Sequence, residues 1–274
     1  MTRAIGLSFA YFGLFIWSAM VFLPLLFMFV SSFKTHGEIL QFPIGLPSRL
    51  HIENYVNAMV NSTIGVSFVN SVIVTIGSLV FVVALSLMGG YALSRFQFPG
   101  NKVLLLGLVA LLTLPVHALV VPVYYFMDMF NLRNDNFGLI MLYTAFHLPV
   151  SIIIMRAYFQ SLPRAVEEAA QLDGCGTWGV FWYVAIPLSK ASIATVAIIN
   201  VVGIWSEYLF ASVLMTSPAS RTLPVAVATL GTGEGGTDLG LRFAGLSLAT
   251  IPILILYLFF SRRIMKGIAA GAVK

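Results

Sequence analysis

Residues 66–94 read VSFVNSVIVTIGSLVFVVALSLMGGYALS, a run without Asp, Glu, Lys or Arg. A helix rises 1.5 Å per residue, so about 20 predominantly apolar residues cross the hydrocarbon core of a bilayer. The run is long enough, and its polarity does not alternate as in the roughly ten-residue strands of a membrane barrel. It therefore reads as a membrane-crossing helix. Working outward, residues 10–31, 103–127, 137–155, 191–206 and 243–261 are also free of charge. The run from 191 reaches full span length, to about 215, with one interruption at Glu207. The expected fold is all-α: a polytopic membrane protein of six transmembrane helices in one domain, 1–274, without separate soluble domains.

Bulk composition agrees. The chain is 59% hydrophobic and 9% charged, against about 45–50% and about 25% in soluble domains. Arg3 precedes the first run, but the apolar stretch outruns the ~7–15 residues of a signal peptide and no A-x-A site follows, so an uncleaved anchor is expected. The single Cys175 excludes an internal disulfide and a cysteine-based metal site. The pI of 9.4 needs no nucleic acid, because membrane proteins collect basic residues on their cytoplasmic side. With six spans and cytoplasmic termini, ten of the fifteen Lys and Arg residues fall inside: 3, 95, 102, 156, 164, 190, 262, 263, 266 and 274. The other five, 34, 49, 133, 221 and 242, fall outside.

Three extramembrane segments are long: outer loops at about 33–65 and 216–242, and an inner segment at about 157–190. Loops of that length usually carry function. The inner segment and its flanks read RAYFQSLPRAVEEAAQLDGCGTWGVFWYVAIPLSKAS over residues 156–192. Pro163 suits a first helical turn, and residues 164–173 are mostly good helix formers. Gly174 supplies a left-handed stop, and Thr177 is expected to cap a second short helix on which Trp178, Phe181, Trp182 and Ala185 share a face. Two short helices on the cytoplasmic side, too polar to cross the bilayer, suit the groove of a soluble partner. Ala169 and Ala170 permit close backbone approach, and Glu167 and Glu168 offer carboxylates to a partner's Arg or Lys. The competing reading is an amphipathic helix resting on lipid, against which two acidic residues facing anionic headgroups count.

Glu168-Ala169-Ala170, Gly174 and Val184-Ala185-Ile186-Pro187 resemble the EAA loop of ABC-importer permeases, E-A-A-x3-G-x9-I-x-L-P, with Val and Ile in place of Ile and Leu. Ser32-Phe33-Lys34-Thr35, Gly90-Tyr91-Ala92-Leu93-Ser94-Arg95-Phe96, Phe98-Pro99-Gly100, Trp205-Ser206-Glu207-Tyr208-Leu209 and the tail GIAAGAVK extend the resemblance to the second permease of maltose-type carbohydrate importers. The resemblance implies that Glu167, Glu168, Ala169, Ala170, Asp173 and Gly174 form a coupling surface for an ATPase. It also implies a second permease subunit, two ATPase subunits, an extracytoplasmic solute-binding protein and a carbohydrate substrate. The outer loop at 221–240, with Arg221, Gly233 and Gly235, would reach the binding protein; a disordered connector is the plainer alternative.

The chain carries no G-x-x-x-x-G-K-[ST] phosphate-binding loop, so ATP hydrolysis is expected from another chain, and no cofactor or metal is expected in this one. The glycine-rich GTGEGG at 231–236 lacks the strand–helix setting of a nucleotide site. Glu207 is the one acidic residue within a span. It, with Trp205 and Tyr208, belongs either to the translocation path or to a structural hydrogen bond. His117 and His147 lie beside Pro115, Pro122 and Pro149, where kinks are expected. Tyr124, Tyr125, Tyr143, Tyr208 and Trp205 fit an aromatic belt or a sugar-stacking surface. An ion-coupled secondary transporter is the alternative function, and it would need buried coupling charges beyond Glu207. A membrane enzyme would need clustered catalytic side chains, which the charge-free spans do not offer.

Overall fold

The structure is a computed structural model. It describes residues 2–60, 62–230, 232–233 and 236–272, with side chains for 10–60, 62–230 and 238–258. The helices are α1 (Thr2–Ser31), α2 (His36–Gln41), α3 (Glu53–Val60), α4 (Ile64–Arg95), α5 (Asn101–Leu111), α6 (Val120–Met129) and α7 (Asn136–Ser161). There follow α8 (Arg164–Leu172), α9 (Thr177–Val180), α10 (Ile186–Leu188), α11 (Lys190–Trp205), α12 (Leu209–Leu214), α13 (Leu223–Thr229) and α14 (Leu239–Ala272). Among the described residues the only extended pairing joins Thr232–Gly233 to Gly236–Thr237, antiparallel.

Among the described residues, four helical stretches are long and apolar enough to cross a membrane: Ala10–Ser31, Ile64–Arg95, Asn136–Ser161 and Leu239–Leu258. The third expected span is broken rather than merely kinked, and the fifth, expected over 191 to about 215, is interrupted between Trp205 and Leu209. A 3-10 turn at Val116–Leu119 separates α5 from α6, and the two halves bend by 92°. Pro115, at the N-cap of that turn with ψ 101°, has no N–H for the ladder, and its ring disfavours helix at the residue before it. The segment Thr177–Leu188 meets α11 at 71°, with Pro187 just before the bend. By length and composition the described residues hold up to six spans when each bent pair counts as one.

The chain divides into two compact units. Residues 1–67 and 225–252 form the first. In it Lys34 is fully buried, with Nζ donating to the carbonyls of Phe42 (3.1 Å) and Pro43 (3.0 Å). Asn54 Nδ2 donates to the carbonyls of Ser32 and Lys34, each at 2.9 Å. Phe27 meets Phe243 edge-on at 5.5 Å. The outward face of α1, including Phe15, Trp17 and Met20, is exposed, as a lipid- or protein-facing span requires.

Residues 68–224 and 253–274 form the second unit, built on α4, α7 and α11. Small polar residues Ser71, Thr75, Ser78 and Ser86 line the buried face of α4, as helices packed within membranes favour. At Gly90 a Cβ would lie 2.7 Å from Met155 Cβ and 2.9 Å from the Arg156 amide nitrogen, so only glycine lets α4 and α7 touch there. Around that contact Val82, Leu87, Tyr91, Met155, Phe159, Phe181, Ala185 and Val196 make a buried core.

The candidate coupling helix and the polar sites around it

The EAA segment folds as α8. Pro163 sits at the N-cap (φ −60°, ψ 125°) and the helix runs to Leu172. Gly174 adopts φ +90°. Its N–H donates to the carbonyl of Gln171, and the Cys175 N–H to that of Ala170, each at 3.0 Å. This pair of bonds is the Schellman stop expected of a left-handed glycine. The Thr177 expectation is corrected. Thr177 is the first residue of α9, with no side-chain cap bond, because extended Gly176 holds the N-cap position and its carbonyl accepts from the Val180 N–H at 3.0 Å. From α9 the helix passes through a π-helical turn, Phe181–Ala185, into α10.

The six residues proposed for coupling do not share one face. Glu168, Ala169, Asp173 and Gly174 are exposed, whereas Ala170 is half-buried and Glu167 is buried at 8% exposure. Glu167 therefore does not present its carboxylate outward as expected from sequence; Arg95, at the end of α4, holds it. Arg95 Nη2 lies 2.7 Å from Oε1, and Nε lies 2.9 and 3.1 Å from the two carboxylate oxygens. The hydroxyl of Tyr91 donates to Oε2 at 3.3 Å. The same Arg95 guanidinium donates to the carbonyl of Leu162 at 3.2 Å, the residue that caps α7. Tyr91 also packs on Phe96, Phe159 and Phe181, with ring centroids 6.1, 5.3 and 5.0 Å away. With its inner side so occupied, α8 leaves Ala165, Glu168, Ala169 and Leu172 outward at helical spacing, Leu172 at 89% exposure.

The charge within the fifth expected span has a local task. The Glu207 carboxylate accepts from the Phe210 N–H at 2.9 Å and the Ala211 N–H at 3.1 Å, both in the first turn of α12. The Tyr143 hydroxyl donates to it as well. A helix starting inside a membrane has unpaired N–H groups and a partial positive end; Glu207 answers both. Trp205 is buried at 6% exposure and meets Phe68 edge-on at 5.7 Å, while Tyr208 stays half-exposed. Tyr143, assigned from sequence to a belt or a stacking surface, is fully buried and belongs to the Glu207 site. Asn200, one helix face away on α11, donates to Ser151 Oγ at 2.9 Å.

At the other end of α7, Asn134 (φ +54°) holds the loop after α12. Its N–H donates to the carbonyl of Leu214 at 3.1 Å. Its Oδ1 accepts from Ser217 N at 2.8 Å and Ser220 Oγ at 2.9 Å. Asn70 Nδ2 donates to the carbonyls of Ala219 (2.8 Å) and Arg221 (3.1 Å). Arg221 is partly buried and turns its guanidinium to the carbonyl of Thr216 at 3.4 Å. Gly233 lies in the first strand of the short pairing, and Gly235 falls outside the described residues. Tyr91, Arg95 and Asn134 were not singled out by sequence as parts of a site, and Tyr143 was not linked to Glu207. Their partners lie 64 to 86 residues away, beyond the reach of any periodicity.

The profile of the family described as binding-protein-dependent transport system inner membrane component matches residues 83–270, from the middle of α4 through α14. The chain belongs to this family. It is 38% identical to the diacetylchitobiose uptake system permease protein NgcG of Streptomyces coelicolor, over 94% of this chain and 86% of that protein. It is 33% identical to the trehalose transport system permease protein SugB of Mycobacterium tuberculosis, over 92% of each. A chain of a bacterial ABC transporter involved in the import of the polysaccharide alginate shares the fold, with a TM-score of 0.83 at 24% identity, over 95% of this chain and 96% of that one. This permease is thus a multi-pass, non-catalytic membrane subunit of a binding-protein-dependent ABC importer, and the ion-coupled carrier is not favoured.

Proposed function

We propose that this permease imports a carbohydrate, with both termini cytoplasmic, and that α8 is its docking helix on an ATPase subunit. The observation that carries the docking assignment is the two-sidedness of α8: Glu167 is held inward by Arg95, and Glu168, Ala169 and the 89%-exposed Leu172 face out. A large aliphatic knob flanked by small residues and a carboxylate suits a groove with a basic rim. The ten-to-five excess of basic residues on the α8 side supports that orientation. The carbohydrate class is supported by the permeases named above for diacetylchitobiose and trehalose.

The assembly that fits this role pairs the chain with a second permease, two ATPase subunits and an extracytoplasmic binding protein. The binding protein would meet the opposite side, where Asn134 and Asn70 hold residues 216–221 in place and where Arg221, Gly233 and Gly235 lie in sequence. Glu207 and Trp205 are assigned to structure, and the half-exposed Tyr208 to the path. The test is site-directed cross-linking with Leu172→Cys in a Cys175→Ser background, in native membranes. A covalent product with a P-loop ATPase is expected; a cross-link only to lipid-facing or unrelated chains would sink the docking assignment.

A further inference from the structure

The docking face of α8 explains where an ATPase would bind, and leaves open how its movement reaches the spans. We propose that Arg95 and Glu167 are positioning residues that make α8 and the Arg95 end of α4 move as one body, so that the second span follows the docking helix. This inference rests on the docking role of α8.

The geometry is that of a joint. The guanidinium meets the carboxylate through both Nε and Nη2, at 2.7 to 3.1 Å, a two-point contact that fixes orientation as well as distance. Both side chains are about nine-tenths buried, at 8% and 11% exposure. Tyr91, one helical turn before Arg95, adds a second bond from α4 to the same carboxylate. The remaining reach of Arg95, to the carbonyl of Leu162, ties the strand-like residue between α7 and α8. One guanidinium thus gathers the end of α4, the end of α7 and the first turns of α8.

Other connections to α8 are less able to carry a displacement. The covalent link to α7 runs through Leu162 and Pro163, both extended (ψ 134° and 125°), so the hydrogen-bond ladder of α7 does not continue into α8. The link onward passes the left-handed Gly174. Beyond those links α8 packs on α9 and on the Phe181–Ala185 turn; the Arg95–Glu167 pair is the polar tie that joins it directly to the second span. Burial also bears on the choice of chemistry. A desolvated ion pair adds little to stability compared with apolar packing, and its best-attested use is to fix one arrangement.

The experiment compares the assembled importer carrying Glu167→Gln, Arg95→Lys and the exchange Arg95→Glu/Glu167→Arg with wild type, in lipid nanodiscs. Three quantities are read: the Leu172→Cys cross-link to the ATPase, basal ATP hydrolysis, and hydrolysis stimulated by the loaded binding protein. Glu167→Gln is expected to keep the cross-link and basal hydrolysis while stimulated hydrolysis and uptake fall about tenfold, within the 5–150-fold range of a typical coupling energy. Arg95→Lys keeps a charge but not the two-point contact, and is expected to fall between. The exchanged pair is expected to regain stimulation to within about threefold of wild type, less than one typical coupling step.

A merely structural pair would lower cross-link, basal and stimulated activity together, in proportion to the protein surviving in the membrane. That outcome, or unchanged stimulation in Arg95→Lys and Glu167→Gln with the cross-link intact, overturns the joint. Absence of the cross-link in the wild type overturns instead the docking role on which it rests. If Glu167→Gln does not reach the membrane, Arg95→Lys and the exchanged pair decide by the same readouts.

Discussion

The hydroxyl of Tyr143, buried in α7, donates to the carboxylate of Glu207, which also accepts the Phe210 and Ala211 N–H groups in the first turn of α12. An acidic group in a span is thereby occupied on the side that faces α12 and α7. Hydrogen bonds to an ionised group contribute about 1.5–3 kcal/mol, and a buried donor left without a partner costs about 1–3 kcal/mol. Glu207→Ala is therefore expected to lower the midpoint of thermal unfolding in detergent more than Tyr143→Phe, which leaves both backbone bonds in place. Glu207→Gln keeps an acceptor oxygen for α12 and is expected to retain most of the stability and at least half-normal uptake. Loss of uptake in Glu207→Gln at unchanged unfolding temperature would assign the charge to the path instead.

Neighbouring glutamates on α8 are expected to behave oppositely. Glu168 is exposed, so Glu168→Lys should leave membrane insertion and unfolding within about 0.5 kcal/mol of wild type, as surface changes do, while uptake and recovery of the ATPase in a mild-detergent pull-down are lost. Glu167→Lys sets a second cation against Arg95 in a buried site. It should cost about 3–5 kcal/mol, as removing one partner of a buried pair does, and deplete the protein from membranes. Equal behaviour of the two variants would contradict the two-sided placement of α8.

How much of this was legible follows from what each residue says locally. The spans were legible because charge is absent over lengths that match a bilayer, and Gly174 was legible because a helix stop needs a left-handed residue within a turn of the last good helix former. The break at Val116–Leu119 was only half-legible: Pro115 and Pro122 signal weakness in the ladder, but whether it yields a gentle kink or a 92° bend depends on what packs around it. Glu167 and Glu168 look alike in sequence. They differ because 100° of helix rotation turns one toward Arg95, a residue 72 positions earlier. Glu207 read as path or structure with equal force, because the answer lies in Tyr143 and in a helix start at Leu209 that the apolar run conceals.

Gly174 has open space around it but a backbone that other residues resist: nothing lies within 4 Å of a Cβ there, at φ +90°. Gly174→Ala should thus cost only the left-handed penalty, about 1–2 kcal/mol, with insertion intact and uptake reduced. Gly174→Pro also deletes the N–H that binds the Gln171 carbonyl and forbids the observed φ. It should leave the protein in the membrane and abolish uptake and ATPase coupling, measured in vesicles. Normal transport in Gly174→Pro would defeat the coupling role of this turn.

In the segment after α1 in the first unit, Glu38 closes a capping box at the start of α2: Thr35 N–H donates to it at 2.9 Å, and the Thr35 hydroxyl accepts from the Glu38 N–H at 3.2 Å. The Ser48 hydroxyl and N–H bind the other carboxylate oxygen. These bonds, with the Ser48 hydroxyl foremost, then the Thr35 N–H, and with His51 nearby, draw its pKa down from 4.5 to about 2. A folded pKa below the unfolded one means that the unfolded chain takes up the proton first. The stabilisation is complete above about pH 4.5 and is lost as pH falls toward 2. The Thr35 and Ser48 amides should then be better protected from hydrogen exchange in wild type than in Glu38→Gln at pH 6, with intrinsic rates corrected. The difference should shrink below pH 4.5 and be nearly gone at pH 2.

Asn134 combines two roles that substitution can separate. Its left-handed φ of +54° suits Asn or Gly, and its side chain accepts from Ser217 and Ser220 across the loop after α12. Asn134→Gly keeps the backbone and removes the side-chain bonds; Asn134→Ala loses both comforts. If the side chain is what holds residues 216–220, both variants should open that loop to limited proteolysis from outside right-side-out vesicles, with Ala also lowering the unfolding temperature further than Gly. Stimulation of ATP hydrolysis by the loaded binding protein should drop in both while basal hydrolysis stays, because the loop lies on the side opposite α8. Protection of the loop in Asn134→Gly at the wild-type level would show that the backbone bond to Leu214 suffices, and that the side chain does not shape the surface offered to the binding protein.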